Sequence, residues 1–231
     1  MNVDPAEIQK FESLAQKWWD KDGEFRPLHD INDIRVRFIA DRATIGGAEV
    51  LDVGCGGGIL TESLASHGAV PTGIDPALGP LTVAKLHAVE MGLQHRLSYY
   101  QSTAEEYSQE TKQFDIVTAM EILEHVPDFS ETMRALADLT KSGGDVFLST
   151  INRKPVAYLF AILGAEYVLN VLPRGTHEYR KFIKPSELSQ AAREAGLIVR
   201  QVKGYSYNPF SRSASLVSNP NVNYLFHAQK P

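Results

Sequence analysis

The segment Val50-Leu-Asp-Val-Gly-Cys-Gly-Gly-Gly-Ile-Leu60 carries the strongest structural signal in this chain of 231 residues. The apolar run 49–53 has the composition of a buried strand, and the glycines that follow it turn the chain towards a helix. Glycine lets the backbone approach a bound molecule closely, and the first amide hydrogens of a helix attract polar or anionic groups. The segment therefore predicts a strand, a binding loop and a helix, in that order.

Strands and helices alternate on the carboxyl side of this loop. Such alternation is typical of a parallel sheet that is covered by helices on both faces, with right-handed connections. Two further amphipathic helices, over 4–19 and 34–43, are expected before the first strand. After it we expect helices over 59–67, 80–91, 128–139 and 185–195, and strands over 70–74, 97–101, 114–119, 145–150, 197–202 and 224–228.

Length and composition predict one domain, 1–231, because the chain is near the upper size for a single core and contains no repeat or long linker. A helical flank, 1–45, precedes the first strand, and an apolar insertion at about 153–184 interrupts the alternation. The formal net charge of −5 gives no basic excess for a phosphate backbone. We therefore expect no nucleic-acid partner.

The cysteine content and the first twenty residues indicate the cellular compartment of the protein. Cys55 is the only cysteine in the sequence, so no intramolecular disulfide can form, and a single thiol fits a reducing compartment. The first twenty residues carry early acids and lack the basic and apolar stretches of a secretory signal. We expect a cytoplasmic protein.

Two acids indicate what the glycine loop binds. Asp52 precedes the glycines, and Asp75 ends the next strand, where a carboxylate can accept hydrogen bonds from both hydroxyls of a ribose. The G-x-G-x-x-G spacing of dinucleotide-binding enzymes is missing, because position 59 is isoleucine. From 50 to 150 the sequence resembles motifs I and II of class I methyltransferases. That resemblance implies a Rossmann-like fold with a mostly parallel seven-stranded sheet, an antiparallel C-terminal strand and S-adenosyl-L-methionine as cofactor.

The charged residues after the fourth strand fall at the carboxyl end of the sheet, where open α/β folds bind substrates. Glu121, Glu124 and His125 have i, i+3, i+4 spacing, so one helical turn would place two carboxylates and an imidazole on one face. Such a set can hold Mg²⁺, Mn²⁺ or Zn²⁺. The alternative is that His125 is a catalytic base or a loop anchor, since many metal-free class I methyltransferases resemble this stretch. Both interpretations stay open at this point.

Several further segments are similar to the ubiquinone-biosynthesis O-methyltransferase family over nearly the whole chain. They are Ala15-Gln-Lys-Trp-Trp-Asp20 with Phe25-Arg-Pro-Leu-His29, Val83-Ala-Lys-Leu-His-Ala88, Met120-Glu-Ile-Leu-Glu-His-Val-Pro-Asp128 and Gly175-Thr-His-Glu-Tyr-Arg-Lys-Phe-Ile-Lys-Pro185. The resemblance implies two O-methylations of polyprenylated phenols or catechols, namely 2-polyprenyl-6-hydroxyphenol and 3-demethylubiquinol. The sequence departs from the pattern of this family at 76–80, directly after Asp75. This stretch is a loop that varies within such proteins.

The same resemblance implies the residues of the site. His125 and Glu121 are the predicted catalytic residues, and Mg²⁺ is predicted at Glu121, Glu124 and His125. Segment 101–105 would lie beside the adenine ring, although Glu105 fits a solvated loop equally well. The predicted cofactor-binding residues are Arg35, Asp52, Gly54, Gly56, Gly58, Asp75, Ala104, Glu105 and Met120.

The apolar stretch 156–173 is interrupted by Gly164, Glu166 and Asn170, which argues against a membrane span. Basic residues flank it on both sides, so one interpretation is a helix in the membrane interface that contacts anionic lipids. The other interpretation is a lid on the core or a dimer contact. A soluble phenolic substrate, a non-catalytic scaffold subunit and membership of a ubiquinone-biosynthesis complex are the further possibilities that the sequence leaves open.

Overall fold

The structure is a computed structural model that describes residues 2–110, 112–157 and 179–231. Its centre is one twisted sheet with helices on both faces. The strands are β1 (Glu49–Val53), β2 (Val70–Asp75), β3 (Ser98–Gln101), β4 (Phe114–Met120), β5 (Thr140–Ile151), β6 (Ile198–Asn208), β7 (Ser213–Val217) and β8 (Asn223–Gln229). The helices are α1 (Pro5–Leu14), α2 (Arg26–Ala40), α3 (Ile59–Ser66), α4 (Leu78–Glu90), α5 (Ala104–Tyr107), α6 (Phe129–Leu139), α7 (Pro155–Ala157) and α8 (Pro185–Glu194), with 3-10 turns at Ala15–Lys17, Leu123–His125 and Tyr179–Lys181.

The strand order across the described sheet is β3-β2-β1-β4-β5-β8-β6-β7. Strands β1 to β5 are parallel to one another, and β8 runs antiparallel between β5 and β6. From β1 the chain continues to β2 on one side, and it later returns to β4 on the other side. The connections that follow β1 and β4 therefore lead in opposite directions, which makes the carboxyl ends of these two strands a switch point. A crevice is expected at that point in this class of fold.

The predicted α/β fold with an antiparallel C-terminal strand is confirmed. The predicted number of seven strands was wrong, because β7 adds an eighth strand among the described residues. This strand forms a hairpin with β6 and lies at the edge of the sheet. Its sequence, Ser-Ala-Ser-Leu-Val, is too short and too polar to stand out as a strand from hydrophobic pattern.

The core has two layers, one on each face of the sheet. Leu51 and Val53 of β1 pack into the layer under α6 and α8, while Val50 packs into the layer under α2 and α3. Because successive side chains of a strand point to opposite faces, a strand covered on both faces reads as an almost continuous apolar run. This explains why the run 49–53 could be recognised as a strand from sequence.

Several element boundaries differ from expectation, and three of them are instructive. Helix α2 begins at Arg26 rather than Ile34, because Pro27 in the first turn suits a helix start. Helix α1 ends at Leu14 and continues as a 3-10 turn. Strand β5 begins at Thr140, so the predicted glycine turn at 141–144 lies within the irregular start of the strand.

Most of the apolar insertion at about 153–184 lies outside the described residues, since 158–178 are not described. Its interpretation as a lid or a membrane-facing helix therefore stays a prediction. Among the helices of 2–110, 112–157 and 179–231, none is long and apolar enough to cross a membrane.

Candidate functional site

The glycine loop connects β1 to α3 and is held by Asp75 from the end of β2. The Gly56 N–H donates to Asp75 Oδ2 at 2.9 Å, and the Ala77 N–H donates to Asp75 Oδ1 at 2.8 Å. Gly56 has φ +53°, and the indole of Trp18 occupies the space that a Cβ at this position would need. Only glycine fits there, because the backbone is left-handed and covered by an aromatic ring.

Asp52 and Asp75, the two acids predicted to accompany the glycine loop, have different surroundings. Asp52 is buried and accepts hydrogen bonds from the hydroxyls of Thr61, at 2.6 Å, and Thr118, at 2.7 Å, which tie β1 to α3 and β4. Asp75 is part-exposed at the cavity, and desolvation by the surrounding protein raises its pKa to about 6. Both of its oxygens retain a lone pair beyond the two amide hydrogen bonds, so Asp75 can still accept from a ligand's hydroxyls.

A cavity of about 170 Å³ opens at the carboxyl ends of β1 and β4. It is bounded below by the loop after β1 and above by α1. Gly56 and Gly58 belong to the same loop but do not line the cavity. The predicted residues that line it are Arg35, Asp52, Gly54, Asp75, Ala104, Glu105, Met120, Glu121 and His125.

An ion pair is buried in one wall of the cavity. Arg35 Nη2 lies 3.4 Å from Glu121 Oε1, and the Tyr205 hydroxyl donates to the same oxygen at 2.7 Å. Burial alone would raise the pKa of Glu121, but Arg35 and the hydrogen bond from Tyr205 lower it overall. Within the described residues Nε and Nη2 of Arg35 donate no hydrogen bond, although the side chain is almost completely buried. A buried guanidinium with unused donors can bind a carboxylate.

The turn after β4 does not have the predicted geometry. Glu121 has φ +57°, and the 3-10 turn begins only at Leu123, so the prediction of one helical turn with three side chains on a common face was wrong. Glu124 Oε2 accepts from the Thr150 hydroxyl at 2.7 Å, and burial together with the charge of Glu121 raises its pKa well above the ordinary value. His125 Nδ1 lies 3.0 Å from Glu7 Oε2.

These three residues were the predicted metal site. Glu121 and Glu124 interact with each other, whereas His125 has a hydrogen bond with Glu7 of α1 among the described residues. The described residues include no group of three or more His, Cys, Asp or Glu side chains arranged to hold a metal ion. In this arrangement the three side chains do not fit one shared ion, and the magnesium site stays a prediction.

The N-terminal segment covers the cavity through contacts that the sequence did not indicate. Asn2 Nδ2 donates to Glu105 Oε1 and to Thr132 Oγ1, at 2.9 Å each. The Gly79 N–H donates to Glu12 Oε2 of α1 at 2.8 Å. Glu105 is therefore tied between the N-terminus and α6, rather than exposed in a solvated loop. Amphipathic periodicity predicted α1, but the partners of its polar side chains are not encoded in any local pattern.

Known proteins match this chain over nearly its whole length. The family described as a methyltransferase domain matches residues 6–202. The chain is 55% identical over 230 residues to the ubiquinone biosynthesis O-methyltransferase of Pseudomonas aeruginosa strain LESB58, covering 99% of this chain and 98% of that protein. It is 53% identical over 232 residues to the protein of the same name from Saccharophagus degradans, covering 100% of this chain and 98% of that protein.

Solved structures share the fold. An S-adenosylmethionine-dependent methyltransferase from Thermotoga maritima, a possible histamine N-methyltransferase, superimposes with a TM-score of 0.68 at 16% identity, covering 97% of this chain and 99% of that one. Magnesium protoporphyrin IX methyltransferase from Synechocystis PCC 6803, with bound S-adenosylhomocysteine, gives a TM-score of 0.67 at 18% identity, covering 90% and 85%. At these identities the likeness shows the architecture alone.

Proposed function

The chain belongs to the ubiquinone biosynthesis O-methyltransferase family. We propose that its cavity binds S-adenosylmethionine next to the hydroxyl of a polyprenylated phenol or catechol, which receives the methyl group. The enzyme is an S-adenosylmethionine-dependent O-methyltransferase of ubiquinone biosynthesis. One observation carries the proposal for the site. A ribose-binding acid, Asp75, an unsatisfied guanidinium, Arg35, and an imidazole, His125, line the same cavity.

The hydrogen-bond donors and acceptors that line the cavity match the polar groups of S-adenosylmethionine. The carboxylate of Asp75 would accept from the two ribose hydroxyls, and the Arg35 donors that make no hydrogen bond would bind the carboxylate of the methionine part. Met120 and Gly54, and Ala104 and Glu105, line the same cavity and would hold the rest of the cofactor. When bound, the cofactor would supply a methyl group on a sulfonium: a nucleophilic oxygen attacks the methyl carbon in line, and the S–C bond breaks to release S-adenosylhomocysteine.

The protein must also favour the phenolate. A phenol has a pKa of about 10, so a base near the acceptor oxygen increases the fraction that can react at neutral pH. His125 is the basic side chain that we assign to this role, because it lines the cavity and its ring is held by α1. By covering the cavity, α1 keeps water away from the reacting oxygen.

The resemblance to enzymes with Mg²⁺ at the positions of Glu121, Glu124 and His125 raises the alternative of a metal-dependent enzyme, although these three side chains are not arranged here to share one ion. The test is methyl transfer from labelled S-adenosylmethionine to a short-prenyl catechol, with EDTA and then with Mg²⁺ restored. Turnover that survives EDTA supports His125 as the base. Turnover that is lost to EDTA and recovered with Mg²⁺ supports the metal. Cofactor binding without turnover would favour a soluble phenolic substrate or a scaffold role.

We further propose that this single-domain enzyme associates peripherally with the cytoplasmic face of the inner membrane, where a polyprenylated substrate resides. Basic residues on both sides of the insertion, Arg153, Lys154, Lys181 and Lys184, support this, since such clusters attract anionic headgroups. Flotation with vesicles of neutral lipid, or with added anionic lipid, is the test. We expect binding that increases with the anionic fraction, and no binding to either vesicle would contradict the proposal. The proposal also includes membership of a multienzyme complex of ubiquinone biosynthesis and catalysis of both O-methylation steps.

A further inference from the structure

Two segments that are distant in sequence, 15–20 and 83–88, meet beside the glycine loop. Trp19 follows the 3-10 turn after α1, and His87 lies in the last turn of α4. Their rings are stacked, with centroids 3.4 Å apart and planes 7° apart. Neither ring is among the described side chains that line the cavity. The stack therefore contacts the loop from outside the proposed cofactor site.

A buried carboxylate fixes the ring of His87. Its Nδ1 atom lies 2.8 Å from Oε2 and 3.0 Å from Oε1 of Glu62, which belongs to α3. Glu62 is buried, so the position of its carboxylate is set by the packing of α3. An imidazole held at one nitrogen keeps its plane and presents a flat face to Trp19. Stacked aromatic rings stabilise each other beyond the area that they bury.

Trp19 is also bonded directly to the glycine loop. Its indole N–H donates to the Gly57 carbonyl at 2.9 Å. The neighbouring indole of Trp18 fills the space that a Cβ at Gly57 would need, and Trp18 lines the cavity. Two adjacent tryptophans thus contact the same loop, one through a backbone carbonyl and the other across its surface. The position of the loop relative to Asp75 depends on both.

We infer that Trp19 and His87 are positioning residues for S-adenosylmethionine: with Glu62 they form a clasp that holds the glycine loop in the shape that receives the cofactor. The loop contains glycines at 54 and 56–58, and glycine has the largest backbone freedom of any residue. A loop of this kind loses conformational entropy when a ligand orders it. A clasp that orders the loop beforehand reduces that loss and increases the affinity.

The clasp should affect cofactor binding and leave the chemical step unchanged. Trp19 acts on the loop through Gly57, and His87 acts only through Trp19. A variant that opens the clasp should therefore raise the KM for S-adenosylmethionine, while kcat at saturating cofactor stays the same.

A matched control exists elsewhere in the sheet. The ring of His227 is stacked on Phe147, with centroids 4.6 Å apart and planes 7° apart, and its Nε2 lies 2.7 Å from Asp145. These three residues are not among the described residues that line the cavity. His227→Ala removes the same kind of stack and the same kind of carboxylate contact as His87→Ala. Both variants should lose stability, but only His87→Ala should weaken cofactor binding.

The first readout is hydrogen exchange of the indole N–H groups in the cofactor-free enzyme, followed by NMR. The chain contains two tryptophans, so the two indole signals can be assigned with Trp19→Phe. We expect the Trp19 signal to be protected in the natural enzyme and in His227→Ala, and to exchange about tenfold faster or more in His87→Ala. Equal exchange in the natural enzyme and in His87→Ala would overturn the inference. This readout needs neither cofactor nor turnover.

The second readout is the affinity for S-adenosylhomocysteine, measured by calorimetry. We expect binding to weaken about three- to tenfold in Trp19→Phe and about tenfold in His87→Ala, and to change less than about twofold in His227→Ala. Trp19→Phe keeps an aromatic ring, so it preserves the test if His87→Ala does not fold. Natural affinity in Trp19→Phe and His87→Ala, or an equal loss in His227→Ala, would overturn the inference.

Steady-state kinetics separate this inference from the proposed acceptor. With a short-prenyl catechol we expect the KM for S-adenosylmethionine to rise in His87→Ala in step with the loss of affinity, and kcat to change less than about twofold. A kcat that falls as much as the affinity would overturn the positioning role. Clasp-dependent binding of S-adenosylhomocysteine without methylation of the catechol would support the clasp and contradict the proposed acceptor.

Discussion

Tyr205 and Glu121 are joined by a hydrogen bond of 2.7 Å that connects β6 to the residue following β4. Tyr205 is buried, and the oxygen that it contacts is the one facing Arg35. The last third of the chain therefore takes part in fixing this wall of the cavity, although the glycine loop, Asp52 and Asp75 come from the first half.

Tyr205→Phe is expected to weaken cofactor binding as well as the fold. Losing a hydrogen bond to a buried ionised carboxylate costs about 1–3 kcal/mol in the free energy of unfolding, measured in urea. The affinity for S-adenosylmethionine should fall several-fold, because Glu121 no longer holds Arg35 in place. Tyr207→Phe is the control, since Tyr207 on the same strand donates to Asp30 at 2.7 Å outside the cavity. If both variants bind the cofactor equally well, Tyr205 has only a structural role.

Gly56→Ala should weaken cofactor binding strongly. The added Cβ would collide with Trp18 and would strain a backbone with φ +53°, so the loop must move away from Asp75. We expect the affinity for S-adenosylmethionine, measured by calorimetry, to fall by about tenfold or more. Gly47→Ala separates backbone strain from collision, because Gly47 has φ +79° and nothing within 4 Å of its Cβ position. That control should lose about 1 kcal/mol of stability and keep its affinity. An unchanged affinity in Gly56→Ala would contradict the prediction.

Cofactor affinity should decrease in mild acid because of Asp75. Its pKa of about 6 in the folded protein exceeds the ordinary value of 3.8, so protonation at Asp75 favours folding at low pH, and this contribution is lost as the pH rises through about 6. Ribose hydroxyls bind the ionised form best. The dissociation constant of S-adenosylmethionine should therefore rise about tenfold per pH unit below 6. Asp75→Asn should bind weakly with no such dependence; the same pH profile in this variant would assign the effect to another group.

Cys55 should be inert in the native protein. It is buried, and desolvation followed by the charges of Asp75 and Asp52 raises its pKa well above the ordinary value, so little thiolate exists at neutral pH. Labelling with a thiol reagent should be about a hundredfold or more slower in the native protein than in urea. Comparable rates in the two states would mean that the glycine loop opens readily.

The sequence predicted the sheet and the glycine loop well because both depend on local patterns. An apolar run in a strand that is covered on two faces, and glycines that the left-handed turn after it requires, can be recognised from neighbouring positions in the sequence. Asp75 could be inferred in the same way, since it ends the next strand. The extra strand β7 could not be recognised in this way. Its five residues are small or moderately apolar, and they show little of the hydrophobic pattern that identifies a strand.

The arrangement around His125 could not be predicted for a different reason. Spacing placed Glu121, Glu124 and His125 on one face, but the left-handed backbone at Glu121 breaks the helical turn on which that inference depended. Within the part of the chain that the structure describes, His125 instead has a hydrogen-bond partner on α1, Glu7. Contacts between residues so far apart in the chain are set by how helices dock, and single-sequence periodicity contains no information about docking.

The position of β8 has a consequence for how the protein is made. This strand is the last described element in sequence, yet it separates β5 from β6 in the sheet. As the chain leaves the ribosome, β6 and β7 emerge with no strand to pair with except each other, so Tyr205 cannot reach Glu121 until β8 arrives. The nascent protein would then pass through a stage with exposed strand edges, a situation in which chaperones are needed most. Frameshifts that remove only residues after Val222 should accordingly yield aggregates rather than a shortened enzyme.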